Sequence, residues 1–441
     1  MEMPGPKYCD SRLENLQISY WTKISISDEI AATFISFYIE NDHKILRFFD
    51  ADLFLDDLVP RRQRFCSPFL VSSVLCVACQ GYAAVKPGSD DVRIAAFQEA
   101  EMLWQGERSD PSLISMAAMG LFSFFCIFEG KDVIGQECSL SIRHNAERIG
   151  ICGDHFDGLL NTTNLHPNSP EWVKAASQIA WGVYNWLTIQ VVYYQHTHIP
   201  FPPALPYPET PETVQIPVYH VPSVEVLGVY NFAKAPISEL VPLSFAEAKY
   251  QKLLVWVDGL DDGMKRVEDC PYEVIIFHTL FHHPKAVYAA SVNQLKELLF
   301  CFCVKYRQSA YTKFFNAALP TLSLAMLEDL QDPLRQHYFY LCVRCWQDLY
   351  FCYPMFCDFA KAFLSRAMQK DAIAAGEAQN LLRGIDQTGE HHTTAEEAVT
   401  IFIFDPVSER VAEAQIHSMA DRFEEMVVFD ELIDKNTALT S

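Results

Sequence analysis

The chain has 441 residues, 50% of them hydrophobic, so it can bury a large core. Asp and Glu number 56 against 34 Lys and Arg, which gives a formal net charge of −22. Because DNA affinity depends on Lys and Arg that neutralise phosphates, a chain this acidic is predicted not to bind DNA directly.

The N-terminus begins Met-Glu-Met-Pro-Gly-Pro and lacks the apolar stretch of a secretory signal, which indicates an intracellular protein. Two uncharged stretches, 67–85 and 111–128, approach the length of a membrane span. Serines interrupt both stretches, so we predict buried helices of a soluble protein with no membrane span. The expected location is cytoplasmic, or nuclear if the protein regulates transcription.

Helix signals recur along the chain. Ser67-Pro68, Asp110-Pro111 and Ser169-Pro170 each place a capping residue before a proline, which is typical of a helix start. Few segments alternate with the two-residue period of strands. The predicted fold class is all-α, with helices at about 67–82, 91–105, 111–129, 133–150, 170–197, 245–265, 271–306, 311–329, 334–352, 355–374, 394–404 and 407–428.

A proline-rich segment interrupts the helices. Between Pro200 and Pro242 lie 10 of the 24 prolines, and no helix persists at that density. Interleaved apolar residues such as Tyr207 indicate an extended connection that packs along the surface. The predicted organisation is an N-terminal extension (1–44), a first helical lobe (45–199), the extended connection (200–243), a second helical lobe (244–432) and a tail (433–441).

The 14 cysteines mostly lie in apolar helical runs, where thiols behave as small hydrophobic groups and indicate a reducing compartment. Two pairs have the CxxC spacing, Cys76 with Cys79 and Cys342 with Cys345. A zinc site needs four ligands, usually from loops, so we do not expect metal at either pair. The basic cluster Arg61-Arg62-Gln63-Arg64 is predicted to be a solvated loop before a helix.

Several helix signatures together resemble one family. They are Arg64-Phe65-Cys66-Ser67-Pro68-Phe69-Leu70-Val71, the segments 97–103 and 135–150, Ala180-Trp181-Gly182-Val183-Tyr184-Asn185 before the prolines, and Phe277-His278-Thr279-Leu280. They resemble helices of the fungal-specific transcription factor regulatory domain, the middle homology region. The resemblance runs from about Phe48 to Leu432 and implies an all-helical fold, but its signatures concern helix packing rather than chemistry.

The chain departs from that family at two points. A zinc-cluster DNA-binding domain normally precedes the region, whereas Cys9 alone precedes Cys66 here. The family's His-Arg-Pro is replaced by His282-His283-Pro284-Lys285. Two hypotheses stay open: a transcriptional regulator without its own DNA-binding domain that acts through protein partners, and an enzyme built on a regulator-like scaffold.

A narrower resemblance concerns Lys285. Its position, the apolar Phe281 four residues earlier and the chain length are similar to humulene synthases of fungal tropolone-sesquiterpenoid pathways. This implies a sesquiterpene cyclase, a carbon–oxygen lyase with farnesyl diphosphate (an isoprenoid diphosphate) as substrate and Mg²⁺ as cofactor. Lys285 would hold the diphosphate and Phe281 would shape the product. The sequence favours this hypothesis over the regulator, and a homo-oligomer stays open.

The expected metal ligands are the carboxylates nearest to Lys285 in sequence. Mg²⁺ prefers oxygen ligands, and the cluster Asp258-Gly-Leu-Asp261-Asp262 would share one face of a helix over 245–265. The alternative is a solvated acidic turn. Other carboxylates stay open as ligands, namely Asp52, Asp56, Glu129, Asp132 and Asp348. Aromatic residues at helical spacing, on the helices that contain Phe122 and Trp181, indicate either core packing or the wall of a cyclase cavity.

Overall fold

Every regular element in the described part of the computed structural model is a helix, so the all-α prediction is confirmed. The structure describes residues 8–86, 89–151, 169–194, 199, 202–203, 205–208, 251, 255, 258–260, 262–282, 289–329, 331–386, 416, 418–423 and 425–426. Within these ranges, no helix combines the length and apolarity that crossing a bilayer requires.

The chain divides into two compact units. The first comprises residues 1–127 and 133–261, and the second comprises 128–132 and 262–441. The α-helices are α1 (Asp28–Glu40), α2 (Ala51–Leu58), α3 (Pro68–Tyr82), α4 (Asp90–Glu107), α5 (Leu113–Phe128), α6 (Asp132–Arg148), α7 (Pro170–Tyr194), α8 (Tyr272–His282), α9 (Ala289–Lys305), α10 (Leu319–Glu328), α11 (Arg335–Tyr350), α12 (Met355–Gln369) and α13 (Ala375–Asp386).

Most predicted helices correspond to observed ones, although the one predicted over 311–329 begins as a 3-10 helix (Lys313–Ala318) before α10, and the one predicted over 245–265 is broken after Asp258. Helices α1, α2 and α13 were not predicted, and α1 lies inside the N-terminal 44 residues. The helix predicted over 271–306 is two helices, α8 and α9, because Pro284 between them has no N–H for a helical hydrogen bond. The helix predicted over 394–404 lies outside the described residues.

Helix α3 begins where its sequence predicts. Ser67 Oγ accepts a hydrogen bond from the backbone N–H of Leu70 at 3.1 Å, and Pro68 occupies the first turn. Its residues from Phe69 to Gly81 are buried on every side, between α1 and α4 among other neighbours. A helix that is apolar all round is a core helix rather than a surface helix.

A polar contact fixes α5, α6 and α7 to one another inside the first unit. Ser123 Oγ donates to the carbonyl of Gly135 at 2.8 Å and lies 2.9 Å from Ser139 Oγ. Trp186 Nε1 donates to the same Ser123 oxygen at 3.1 Å. Because buried polar atoms must find partners, this contact selects one register of the three helices.

Helix α7 lies against the backbone that precedes α2. A Cβ added at Gly182 would lie 2.5 Å from the carbonyl oxygen of Arg47 and 2.9 Å from Cα of Phe48. Gln178 Nε2 donates to the same Arg47 carbonyl at 3.0 Å. Glycine is therefore required at position 182 by a close backbone approach.

Gly182→Ala is expected to lower the free energy of unfolding by about 1–3 kcal/mol, because the added methyl group must displace backbone. Gly106→Ala in α4 is the matched control, since a Cβ at Gly106 meets nothing within 4 Å. That control is expected to be neutral or to stabilise by about 0.5–1 kcal/mol through helix propensity. Urea titration followed by circular dichroism measures both variants, and equal effects would contradict the close approach.

The core of the second unit is aromatic. Trp346 is fully buried, and its ring lies edge-on to Phe363 at 5.2 Å between centroids. Lys313, only 1% exposed, places Nζ 4.8 Å from the ring centroid of Tyr353 and 5.3 Å from that of Phe128. Contact with aromatic faces stabilises a buried cation, so Lys313 belongs to the packing of this unit.

Candidate functional site

The residues expected to form a cyclase site are only partly described. Phe281 lies in the last turn of α8, whereas Lys285 and Asp261 lie outside the described residues. Their proposed contacts with a diphosphate and with Mg²⁺ therefore stay predictions.

The expectation that Asp258 and Asp262 share one helix is wrong. The helical turn at Asp258 ends at Gly259, whose N–H donates to the carbonyl of Val255 at 3.2 Å, and a separate 3-10 turn begins at Asp262. Glycine has a low helix propensity, which accounts for the break. Three- and four-residue spacing therefore does not place these carboxylates on one helical face.

Asp262 lies in solvent and is paired locally. Its side chain is 96% exposed, and Lys265 Nζ donates to Asp262 Oδ1 at 2.7 Å. This hydrogen bond lowers the pKa of Asp262. Asp258 is also exposed. These positions agree with the alternative of a solvated acidic turn, and the described residues contain no group of three or more His, Cys, Asp or Glu placed to hold a metal ion.

Two of the other candidate carboxylates bind an arginine of their own chain. Arg12 Nη1 lies 2.6 Å from Asp56 Oδ1, and Nη2 lies 3.1 Å from Asp52 Oδ1 and 2.7 Å from Asp10 Oδ2. These contacts, the one with Asp10 first, raise the pKa of Arg12. The arrangement attaches the N-terminal segment to α2, so both carboxylates have a structural role.

The basic cluster surrounds a carboxylate that the sequence did not single out. Asp57 is fully buried and accepts from the backbone N–H of Arg64 at 2.9 Å and of Phe65 at 2.7 Å. Arg64 Nη2 and Arg62 Nε lie 3.0 and 3.5 Å from its Oδ1. The two guanidinium groups are about half exposed, but both contact the Asp57 carboxylate. The prediction of a solvated loop is therefore incomplete. Arg61 turns the chain here with a left-handed φ of 61°.

Aromatic residues at helical spacing, among them Phe122, Phe124 and Trp186, lie in the core of the first unit. Phe122 is fully buried, stacked on Phe97 at 5.9 Å, with Trp104 at 6.2 Å. Phe124 lies edge-on to Trp186 at 5.3 Å. Of the two interpretations, the core-packing one describes these rings.

A small cleft lies beside α7 in the first unit. Its lining brings two cationic side chains next to aromatic and amide groups, namely Lys44, Arg47, Gln178, Trp181, Asn185 and Tyr207. Burial lowers the pKa of Arg47 and raises that of Tyr207. The volume of about 20 Å³ accommodates a water molecule or a small ion, whereas ligand pockets are typically ~300 Å³ or more. The cleft is too small for a farnesyl chain.

The start of the proline-rich connection closes one side of this cleft. Trp181 Nε1 donates to the carbonyl of Leu205 at 3.0 Å, and the rings of Trp181 and Tyr207 meet edge-on at 4.9 Å. The expectation that this segment packs along the surface is confirmed for residues 205–208. The remainder of the connection, from 209, lies outside the described residues.

No protein-family model and no solved structure matches the chain. The chain is similar to the notoamide biosynthesis transcriptional activator of Aspergillus versicolor, with 24% identity over 192 residues. The matched stretch covers 42% of this chain but only 30% of that activator. Part of the chain thus resembles a fungal transcriptional activator, in agreement with the transcription-factor resemblance of its helices, and this similarity gives no support to the humulene synthase resemblance.

Proposed function

We propose that this protein is a transcriptional regulator that acts through protein partners and does not read DNA itself. The observation that carries the proposal is its similarity to the notoamide activator. The helix signatures that resemble the transcription factor domain support it. They lie on helices such as α3, which is buried on every side, and on α6 and α7, which share the buried Ser123 contact. The regulator, rather than the cyclase favoured from the sequence, is therefore the better-supported function.

Charge supports the part of the proposal that concerns DNA. The net charge of −22 opposes a phosphate backbone. The basic cluster is also engaged within the chain, because Arg62 and Arg64 contact Asp57 and Arg64 Nη1 lies 3.3 Å from Glu171. Phosphates would have to compete with these carboxylates, so recruitment to DNA by another protein is the mechanism that fits.

The proposal is tested by fusing the full chain to a heterologous DNA-binding domain and measuring transcripts from a reporter with the matching site. A change in transcript relative to the DNA-binding domain alone is expected, because tethering replaces the partner. In a gel-shift experiment, the unfused chain is expected to show no sequence-selective, salt-sensitive binding. A folded, expressed fusion that leaves transcription unchanged contradicts the proposal.

The cyclase hypothesis is tested on the same purified chain with farnesyl diphosphate and Mg²⁺. A regulator yields only the volatiles seen without protein. A humulene-type product would overturn the proposal if Lys285→Ala reduced its formation by roughly 10²-fold, the cost of removing a charged contact to a departing diphosphate. Lys305→Ala, at an exposed lysine ending α9, is the matched control.

A further inference from the structure

Two thiols meet between α9 and α11 in the second unit. Cys303 lies in the last turn of α9 and Cys345 lies in α11, with their sulfur atoms 3.2 Å apart. Both are free thiols. A disulfide has an S–S bond of about 2.0 Å, which is about 1 Å shorter than this separation.

The two thiols differ in exposure. Cys303 is partly exposed, whereas Cys345 is buried. The two thiols form one hydrogen bond, in which either sulfur could donate, and this contact lowers the pKa of Cys303 and raises that of Cys345. The charge of Arg344 also lowers the pKa of Cys303, whereas burial and the charge of Asp348 raise it. A partly exposed sulfur with a lowered pKa beside a second thiol is the arrangement that oxidants attack selectively.

A third thiol nearby is placed differently. Cys342, one turn before Cys345, is fully buried and hydrogen-bonded with Ser323, and burial raises its pKa. The cluster therefore has one sulfur open to solvent, Cys303, and one sulfur in contact with it, Cys345.

We propose that Cys303 and Cys345 are an oxidation site at which a hydroperoxide converts the two thiols into a disulfide that links α9 to α11. The Cys303 thiolate attacks an oxygen of the peroxide and the O–O bond breaks. With hydrogen peroxide the leaving hydroxide takes up a proton to become water, and Cys303 becomes a sulfenic acid. Cys345 then attacks this sulfur, the S–O bond breaks, and the departing hydroxide leaves as water with the proton from Cys345. The two thiols lose two electrons and the peroxide gains them.

The bond would join residues 42 positions apart. Closing such a loop restricts the unfolded chain, so the oxidised protein is expected to melt at a higher temperature than the reduced protein. This inference goes beyond the proposed function and does not depend on it.

The site is tested on the full reduced chain treated with hydrogen peroxide. Free thiols are blocked with N-ethylmaleimide, and the protein is digested without reductant for mass spectrometry. A peptide pair joined through Cys303 and Cys345 is expected, and dithiothreitol should separate it. Cys303→Ser should abolish the pair, whereas Cys301→Ser, at a partly exposed thiol two residues away, should retain it.

A second variant distinguishes the order of steps. In Cys345→Ser, Cys303 should accumulate as a sulfenic acid that dimedone traps, while circular dichroism confirms that the helices remain. Three outcomes would overturn the proposal: Cys303 that stays unmodified in the wild type, Cys303 that proceeds to sulfinic acid despite the presence of Cys345, or a bond to Cys342 instead.

Discussion

Replacement of Asp57 by alanine is expected to lower the free energy of unfolding of the first unit by about 2–4 kcal/mol. The buried carboxylate accepts from the backbone N–H groups of Arg64 and Phe65 at 2.9 and 2.7 Å. Alanine would leave both donors without their acceptor. A buried donor left in this way costs about 1–3 kcal/mol, and these two are partly buried, so each is expected in the lower part of that range. Urea titration followed by circular dichroism would measure the effect.

Two further variants test whether the buried carboxylate of Asp57 is the source of this loss of stability. Asp57→Asn keeps an acceptor oxygen and should recover part of the loss. Asp56→Ala removes the neighbouring carboxylate, which is 51% exposed and paired with Arg12. A surface pair of that kind contributes about 1 kcal/mol at most. If Asp56→Ala proved as destabilising as Asp57→Ala, the buried carboxylate would not be the source of the effect.

The first unit is also expected to lose stability as the pH falls from about 6.5 towards about 3. Burial, with the charge of Arg47, lowers the pKa of His43 from 6.5 to about 3. The Tyr38 hydroxyl lies 3.3 Å from His43 Nδ1, and the Phe49 ring packs at 4.7 Å. In this interval the unfolded chain binds a proton that the folded chain does not, so acid favours unfolding. A tenfold change in proton affinity corresponds to about 1.4 kcal/mol. Protonation of His43 can therefore lower the free energy of unfolding by at most about 5 kcal/mol.

The measurement is the urea midpoint as a function of pH for the wild type and for His43→Asn. Asparagine cannot titrate, so the variant should lose less stability across the interval. His144→Asn, at an exposed histidine of α6, is the control and should follow the wild type. Parallel curves for the wild type and His43→Asn would show that protonation of His43 does not cause the loss.

Local signals sufficed for much of the helical fold. Ser67 and Pro68 mark the start of α3 because capping and proline geometry depend only on neighbouring residues. Similar signals precede two N-terminal helices that were not predicted. Ser27 caps α1 through the N–H of Ile30, and Asp50 caps α2 through that of Leu53. These helices were predictable from their caps.

Contacts that depend on tertiary structure were not predictable in this way. Asp57 meets Arg64 because the chain folds back after α2, with Arg61 in a left-handed conformation that no local pattern requires. Cys303 and Cys345 lie 42 residues apart, and each fits an apolar helix by itself. Conversely, a site inferred from spacing alone depends on an unbroken helix, and Gly259 interrupts it between Asp258 and Asp262.

Helix α5 has a consequence for synthesis of the chain. Its residues from Leu113 to Ile127 are almost all buried, and it carries no charged side chain. Helix α7, whose Trp186 donates a hydrogen bond to Ser123 of α5, is complete only at Tyr194. At about 5–20 residues per second, the ribosome leaves α5 without that cover for several seconds. We therefore expect chaperones that hold apolar segments to bind the nascent chain mainly during this interval.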